Sequence, residues 1–288
     1  MITVCTPTYN RAYKLPELYR SLCAQSCRDF EWLVVDDGST DGTHALIESY
    51  IRDDKINIRY IHQTNRGKHT AVNAGVRDAS GEWLIIVDSD DCLTTDAIAW
   101  VCGKTAEVAS MPDIAGISGF RCHESGEIIG GNPNFGHIDA NALDIRMIHG
   151  VRGDLAEVYR TSVLLQYPFP EIPGERFCPE ALVWHRIARR YSLRYYSHPI
   201  YICEYLPDGL TSSIVKVRRR SPVTTITYYS ELLWHRLPVK EKIKAYLNLW
   251  RFTPPRLIKK SLSCTSVISL LFLIPGWLIR IADTKKCK

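Results

Sequence analysis

The sequence has no low-complexity tract and no internal repeat at a period of roughly 20–50 residues, which excludes a solenoid, a propeller or a fibrous array. It has no Cys-x-x-Cys pair. Its ten cysteines are Cys5, Cys23, Cys27, Cys92, Cys102, Cys122, Cys178, Cys203, Cys264 and Cys287, and the nearest two, Cys23 and Cys27, lie at helical spacing. They read as small buried or idle thiols, not as a metal or redox motif. No basic stretch precedes Met1-Ile2-Thr3-Val4-Cys5, which enters a strand at once. A secretory leader is therefore not expected, and reduced cysteines and a cytosolic location are. No glycine pair follows that strand. Thr6-Pro7-Thr8-Tyr9-Asn10 stands where a dinucleotide oxidoreductase needs Gly-x-Gly-x-x-Gly, so that class is excluded. The uncharged run Val267–Ile279 is interrupted by Pro275-Gly276 and is expected to be too short to span a membrane. Charge is only mildly unbalanced: the net +5 suits an anionic ligand or surface and does not point to nucleic acid.

What is present is a chain of 288 residues, 45% hydrophobic and 23% charged, enough for an enzyme-sized core with a smaller appendage. The first hundred residues alternate strand and helix. Strands are predicted at Ile2–Thr6, Glu31–Val35, Asn57–Ile61 and Glu82–Val87. Leu15, Leu18, Tyr19 and Leu22 fall at i, i+3, i+4 and i+7, one face of a helix. Asp41 can cap a helix carrying Leu46, Ile47, Tyr50 and Ile51. Thr70–Ala79 reads as a small-residue helix, and Thr94 or Thr95 can cap one bearing Ile98, Val101, Thr105 and Val108. Strands alternating with helices imply a parallel sheet covered on both faces, with ligands at the carboxyl ends of its strands. Four polar clusters fall at those ends: TPTYN, DDGSTDG, NRGKH and DSDD.

From about Pro112 to Gly209 the pattern loosens. Strand-like runs (Ile114–Phe120, Arg194–Tyr196, Ile200–Glu204) surround loops rich in glycine and proline, and a helix is predicted at Pro179–Arg190. Arg218-Arg219-Arg220 opens a helical tail. The expected division is 1–215 for the α/β domain and 216–288 for a basic, apolar C-terminal region.

The clusters suit a nucleotide, which needs a floor for its base, polar groups for its ribose and charge for its phosphates. Asp36 or Asp37, ending a strand in a tight turn, can accept a hydrogen bond from the ring N–H of a pyrimidine or can simply stabilise the turn. Tyr9 can lie against a base or pack. Lys68, beside Gly67, can neutralise phosphate or stay solvated. The run Val87-Asp88-Ser89-Asp90-Asp91 places three acids within four positions at the end of a buried strand. Such an arrangement suits a hard divalent cation completed by substrate phosphates; the plainer reading is a set of acids before the next helix.

Taken together, VCTPTYNRAYKL, VVDDGSTDGT, NRGKHTAVNAG and WLIIVDSDDCL resemble, in order and spacing, the nucleotide-sugar domain of family-2 glycosyltransferases. The resemblance covers roughly the first 110 residues. GERFCPEALVWHRIA and YLPDGLTSS resemble the acceptor half of that family less specifically. The resemblance implies a GT-A fold, a Rossmann-like α/β/α nucleotide-sugar domain, here with a helical tail. It implies a nucleotide-diphosphate-sugar donor, Mn2+ or Mg2+, and inversion at the anomeric carbon. It implies that Pro7, Tyr9, Asp37 and Lys68 flank the nucleotide. Asp88, Ser89 and Asp90 then face the donor, and Asp90 and Asp91 the metal. Its setting would be cell-surface polysaccharide assembly, with a glycan or lipid-linked glycan acceptor at the inner face of the cell membrane. The basic tail would make peripheral contact with that membrane. Many relatives carry Glu-Asp where this chain has Glu180-Ala181. Glu180 is the candidate general base, with Glu175 and Asp208 as alternatives. A sugar-1-phosphate nucleotidyltransferase would want a glycine-rich basic loop after the first strand, which is absent. A non-catalytic nucleotide-sugar-binding protein is the remaining alternative.

Overall fold

The computed structural model describes residues 1–131, 134–203 and 213–286. The chain forms two compact units, Met1–Pro168 with Arg186–Tyr205, and Phe169–His185 with Leu206–Lys288. Among the described residues, the second unit takes in 169–185 and 213–215 besides the region anticipated from residue 216 onward.

In the first unit, β1 (Ile2–Thr8), α1 (Leu15–Cys23), β2 (Phe30–Asp36), α2 (Thr43–Asp53), β3 (Ile58–His62), α3 (Lys68–Asp78) and β4 (Trp83–Ile86) alternate as the sequence predicts. All seven residues of β1 and of β2 are buried, as befits parallel strands covered on both faces. β1 pairs in parallel with β2 and β4, and β2 with β3. The strand ends therefore share one rim, and Thr8 lies in register with Asp36. On α1, the predicted face of Leu15, Leu18, Tyr19 and Leu22 is buried, and Tyr19 stacks on Tyr50 of α2. Ile51 departs from prediction and faces outward.

The remaining elements of this unit are β5 (Cys92–Leu93), α4 (Ala97–Val108), β6 (Ile114–Cys122), β7 (His137–Ala140), α5 (Asp144–Met147), β8 (Leu155–Arg160) and α6 (Thr161–Gln166). α7 (Glu180–Ile187) follows, and β9 (Ser192–Ile202) closes the sheet. The sheet runs β3-β2-β1-β4-β8-β6-β9-β5, with β7 on β9. The two strand-like runs around residues 194 and 200 are one strand, bent through irregular pairing with β6. β8 went unpredicted because a six-residue strand that runs straight into a helix carries little periodic signal, yet it is the antiparallel link between β4 and β6.

The second unit continues with α8 (Ile214–Arg220), α9 (Pro222–Leu232), α10 (Val239–Phe252), α11 (Ile258–Ser263) and α12 (Leu273–Lys286). Its core joins Ile226 and Tyr229 of α9 to Ala245, Leu249, Trp250 and Phe252 of α10, with Phe272, Leu273 and Trp277 packed against them. Two expectations for the tail are corrected. Pro275-Gly276 does not interrupt the helix. Pro275 is the third residue of α12, where the backbone N–H it lacks would have had no intrahelical partner. The helical run is also longer than the uncharged stretch: Val267–Thr284, eighteen residues, is long and apolar enough to cross a membrane by length and composition. Gly276 is where α12 meets α10 backbone to backbone; a Cβ there would lie 2.6 Å from Trp250 Cβ and 2.8 Å from the Leu247 carbonyl oxygen. Gly276→Val is therefore expected to destabilise the protein by about 2 kcal/mol through overpacking, read as a lowered midpoint in urea denaturation.

Candidate active site at the strand ends

The rim of the parallel strands is laced together before any ligand is considered. Asn10, in a left-handed conformation just past β1, accepts at Oδ1 from the Thr40 N–H at 2.8 Å, and its own N–H donates to Ser39 Oγ at 2.8 Å. Asp41 Oδ2 accepts from the Ala12 N–H. Asp41 also accepts from the Thr43 N–H and hydroxyl, so the predicted cap acts as a turn one residue before the helix cap proper. Gly38 has φ +83°, and a Cβ on it would stand 2.8 Å from the Asn65 nitrogen. Only glycine lets the β2 loop pass this close to the β3 loop.

Asp36 and Asp37 are both buried and both engaged. Asp36 accepts from the Ser39 N–H at 2.8 Å and from the Tyr60 hydroxyl at 2.7 Å. Asp37 Oδ1 accepts from Gln63 Nε2 and the Arg66 N–H, and Oδ2 from the Gly67 N–H at 2.7 Å. Three of the roughly four acceptor positions of its carboxylate are thus taken by the loop that opens α3. Asp37 fixes that loop, and the loop presents Lys68, the first residue of α3.

Lys68 reaches the acid cluster: its Nζ lies 2.5 Å from Asp88 Oδ1. Two further cations converge there. Arg11, just past β1, lies 3.8 Å from Asp90 Oδ2, and Arg121 of β6 lies 3.7 Å from Asp91 Oδ2. The Tyr201 hydroxyl, from β9, donates to Asp91 Oδ2 at 2.8 Å and accepts the Asp88 N–H at 2.9 Å, while the Arg121 guanidinium sits 4.2 Å above its ring. The three carboxylates that the sequence pairs with a metal are therefore each met by a basic side chain of the chain itself.

The balance is uneven. Burial alone would raise the Asp88 carboxyl, but Lys68 and Arg121 outweigh it and hold the group below the usual carboxylate range. Asp90 is pushed up by burial and by the charge of Asp88. Asp91 is pushed up to about 7 by burial and by Asp88, against the opposing hydrogen bond from Tyr201. Among the described residues, no group of three or more His, Cys, Asp or Glu side chains forms a closed metal set. The donors fit an open site instead, one or two carboxylates completed by phosphate oxygens, as Mg2+ commonly takes.

Of the predicted residues, Lys68, Asp88 and Asp90 come together around Asp91. Ser89 lies buried within the run, Pro7 is buried inside β1, and Tyr9 projects half-exposed just beyond it. Arg11, Arg121, Tyr60 and Tyr201 were not anticipated. Arg11 had a local signal, its place directly after TPTYN. Arg121 and Tyr201 had none, since only strand pairing brings them to residue 91.

Residues 3–103 match the model of glycosyl transferase family 2. That stretch of the chain is similar to a family 2 glycosyl transferase domain. A glycosyltransferase of Rickettsia felis is 39% identical over 97 residues, which is 34% of this chain and 16% of that protein. The match thus spans well under a fifth of that relative's length. TarS of S. aureus, solved with UDP-GlcNAc, superposes with a TM-score of 0.63 at 18% identity, covering all of this chain and 92% of that one. The mannosyltransferase PcManGT of Pyrobaculum calidifontis, solved with GDP-Man and Mn2+, gives 0.57 at 20% identity, covering 97% and 80%. The fold is GT-A, as the sequence motifs imply, and the stretch that matches the family 2 model holds its parallel strands and the acid cluster.

The second unit holds the remaining candidates. Glu180 is the first residue of α7. Glu175 is buried and already committed: its carboxylate accepts from the Val223 and Thr224 N–H groups at 2.6 and 2.8 Å and from the Thr224 hydroxyl. It is the anion at the start of α9, a position that the orphan N–H groups and the helix dipole favour. Asp208 lies outside the described residues.

The Asp91 shift has a checkable sign. A carboxyl whose pKa is higher folded than unfolded lowers stability as pH rises between the two values. With metal absent, Asp91→Asn should keep the Tyr201 bond and remove that burden. The variant should match wild type near pH 4, gain on it up to about pH 7 and hold a constant lead above, in thermal melts across pH.

Proposed function

We propose that the protein transfers a sugar from a nucleotide-diphosphate donor, a UDP-sugar by preference, to a hydroxyl of a growing cell-surface glycan, with inversion. The observation that carries this reading is the alternation of Lys68, Arg11 and Arg121 with Asp88, Asp90 and Asp91 at one rim of the sheet. Such a rim offers cations to a diphosphate and carboxylates to a shared metal ion. Uridine is favoured because a strand-end carboxylate suits the ring N–H of a pyrimidine, and because TarS was solved with UDP-GlcNAc. PcManGT, solved with GDP-Man and Mn2+, supports divalent cation use in this fold. Asp90 and Asp91 would hold Mn2+ or Mg2+, which when bound supplies charge neutralisation to the departing diphosphate.

The chain's own groups do the rest. Asp37 sets the loop that aims Lys68, and Lys68 and Arg11 turn from carboxylate to phosphate oxygens when donor binds. Pro7 and Tyr9 border the nucleotide, and Asp88 and Ser89 face its ribose. The acceptor hydroxyl gives its proton to Glu180 as its oxygen attacks the anomeric carbon, and the nucleoside diphosphate leaves from the opposite side with the bonding electrons. Glu180 is preferred over Glu175 because Glu175 is spent on α9. The acceptor we favour is a lipid-linked glycan at the inner face of the cell membrane; no role for nucleic acid is proposed.

Two measurements test this. UDP release from UDP-sugars should need divalent cation, vanish in excess chelator, and vanish in Asp90→Ala, which should fold normally because it removes one of several mutually repelling charges. Activity that survives the chelator overturns the metal role, and pyrophosphate release in place of UDP would mark a nucleotidyltransferase. Glu180→Gln should bind donor but lose transfer by roughly 100-fold or more. Glu175→Gln should keep transfer at permissive temperature while losing about 1 kcal/mol of stability from the α9 N-terminus. The reverse pattern would move the base to Glu175.

A further inference from the structure

The last helical run of the chain has two unlike faces. Phe272, Leu273 and Trp277 turn inward onto α9 and α10. Leu271, Ile274, Leu278 and Ile281, at i, i+3, i+7 and i+10, turn outward and are 74, 69, 60 and 54% exposed. Val267, 82% exposed, extends the stripe. A row of aliphatic side chains this exposed is not a finished surface.

Its surroundings carry one sign of charge. From position 254 to the end the sequence has seven basic residues (Arg256, Lys259, Lys260, Arg280, Lys285, Lys286, Lys288) and one acid, Asp283. That acid is consumed, accepting two hydrogen bonds from Arg251 at 2.7 and 3.0 Å. Arg256, Lys259 and Lys260 stand exposed before the stripe. At its far end Arg219 donates to Thr284, and Arg280 is depressed by burial and by the nearby charge of Arg219. Cations therefore bracket the stripe at both ends.

We propose that the last helical run, α12 with the turn before it, lies in the plane of an anionic phospholipid surface, its Leu271–Ile281 stripe at the acyl boundary and the bracketing Arg and Lys side chains on lipid phosphates. This deepens, and in its setting rests on, the membrane-proximal reading above. The helix lies flat and does not cross, although its length would suffice. Crossing would strip Trp277 from the core, open the Gly276–Trp250 contact and bury Asp283 in hydrocarbon without Arg251. The charge favours lipid over a second copy of the chain, whose identical cations would be brought together along the same seam.

Flotation of the full-length protein with vesicles tests this. It should float at low salt with phosphatidylglycerol-containing vesicles and stay behind with pure phosphatidylcholine. Ile274→Gln with Leu278→Gln should weaken binding at least about tenfold. Lys259→Gln with Lys260→Gln should weaken it roughly fivefold per residue and flatten the salt dependence. Thermal melts confirm that these surface variants fold, and their UDP release should match wild type. Wild type that ignores anionic vesicles at low salt overturns the proposal, as does a stripe variant that floats undiminished. A wild-type dimer, seen by light scattering, that the stripe variant splits without any vesicle binding would assign the stripe to self-association and also overturn it. Vesicle binding with no UDP release from any nucleotide sugar would sink the proposed reaction and leave this surface intact.

Discussion

The repulsion among three carboxylates at the end of β4 is the constraint around which the first unit is arranged. Asp88, Asp90 and Asp91 follow a strand whose interior residues are buried, so water cannot screen them fully. Each is answered by a cation from a different part of the chain: Lys68 from α3, Arg11 from the end of β1, Arg121 from β6. The order of the sheet makes this convergence compulsory. β1 is β4's parallel neighbour, and β6 reaches the cluster through β8 and β9. Asp37 and Gly38 belong to the same arrangement, since they fix the loop that sets the height of Lys68.

The neutralisation is incomplete, and the proposed donor site would draw on that incompleteness. Asp91 is forced toward protonation, while Asp88 stays strongly ionised. A phosphate group and a cation arriving together would exchange partners with an existing set of ion pairs, without creating new charge in a dry place. On the proposed reading the residues already sit in the arrangement that such an exchange requires, so little reorganisation would accompany binding.

Helix α9 illustrates how a carboxylate can look catalytic in sequence and be structural in space. Glu175 lies in a loop five positions before Glu180, and nothing in that stretch says which acid works. Its three donors from Val223 and Thr224, almost fifty residues away, assign it to the helix start. The second unit also explains the Pro275-Gly276 pair. It reads as a break, yet the proline falls where a helix has no N–H to lose and the glycine where two helices touch.

The family resemblance pairs Lys68 and the DSDD acids with one site, and by itself the sequence determined the alternating strands and helices through α4, the parallel pairing of the first four strands and the rim on which the polar clusters meet. These features are legible because each rests on local information: hydrophobic period, turn residues and strand ends. Only the tertiary structure decided what neutralises the acids. Arg121 and Tyr201 reach Asp91 across 30 and 110 residues by strand pairing, and no local pattern encodes such a distance. It decided, too, that Asp37 is occupied by its own loop, that Glu175 serves α9, and which side of the last helix is left bare. Burial and partnership are properties of what the rest of the chain brings alongside, and a sequence read residue by residue does not contain them.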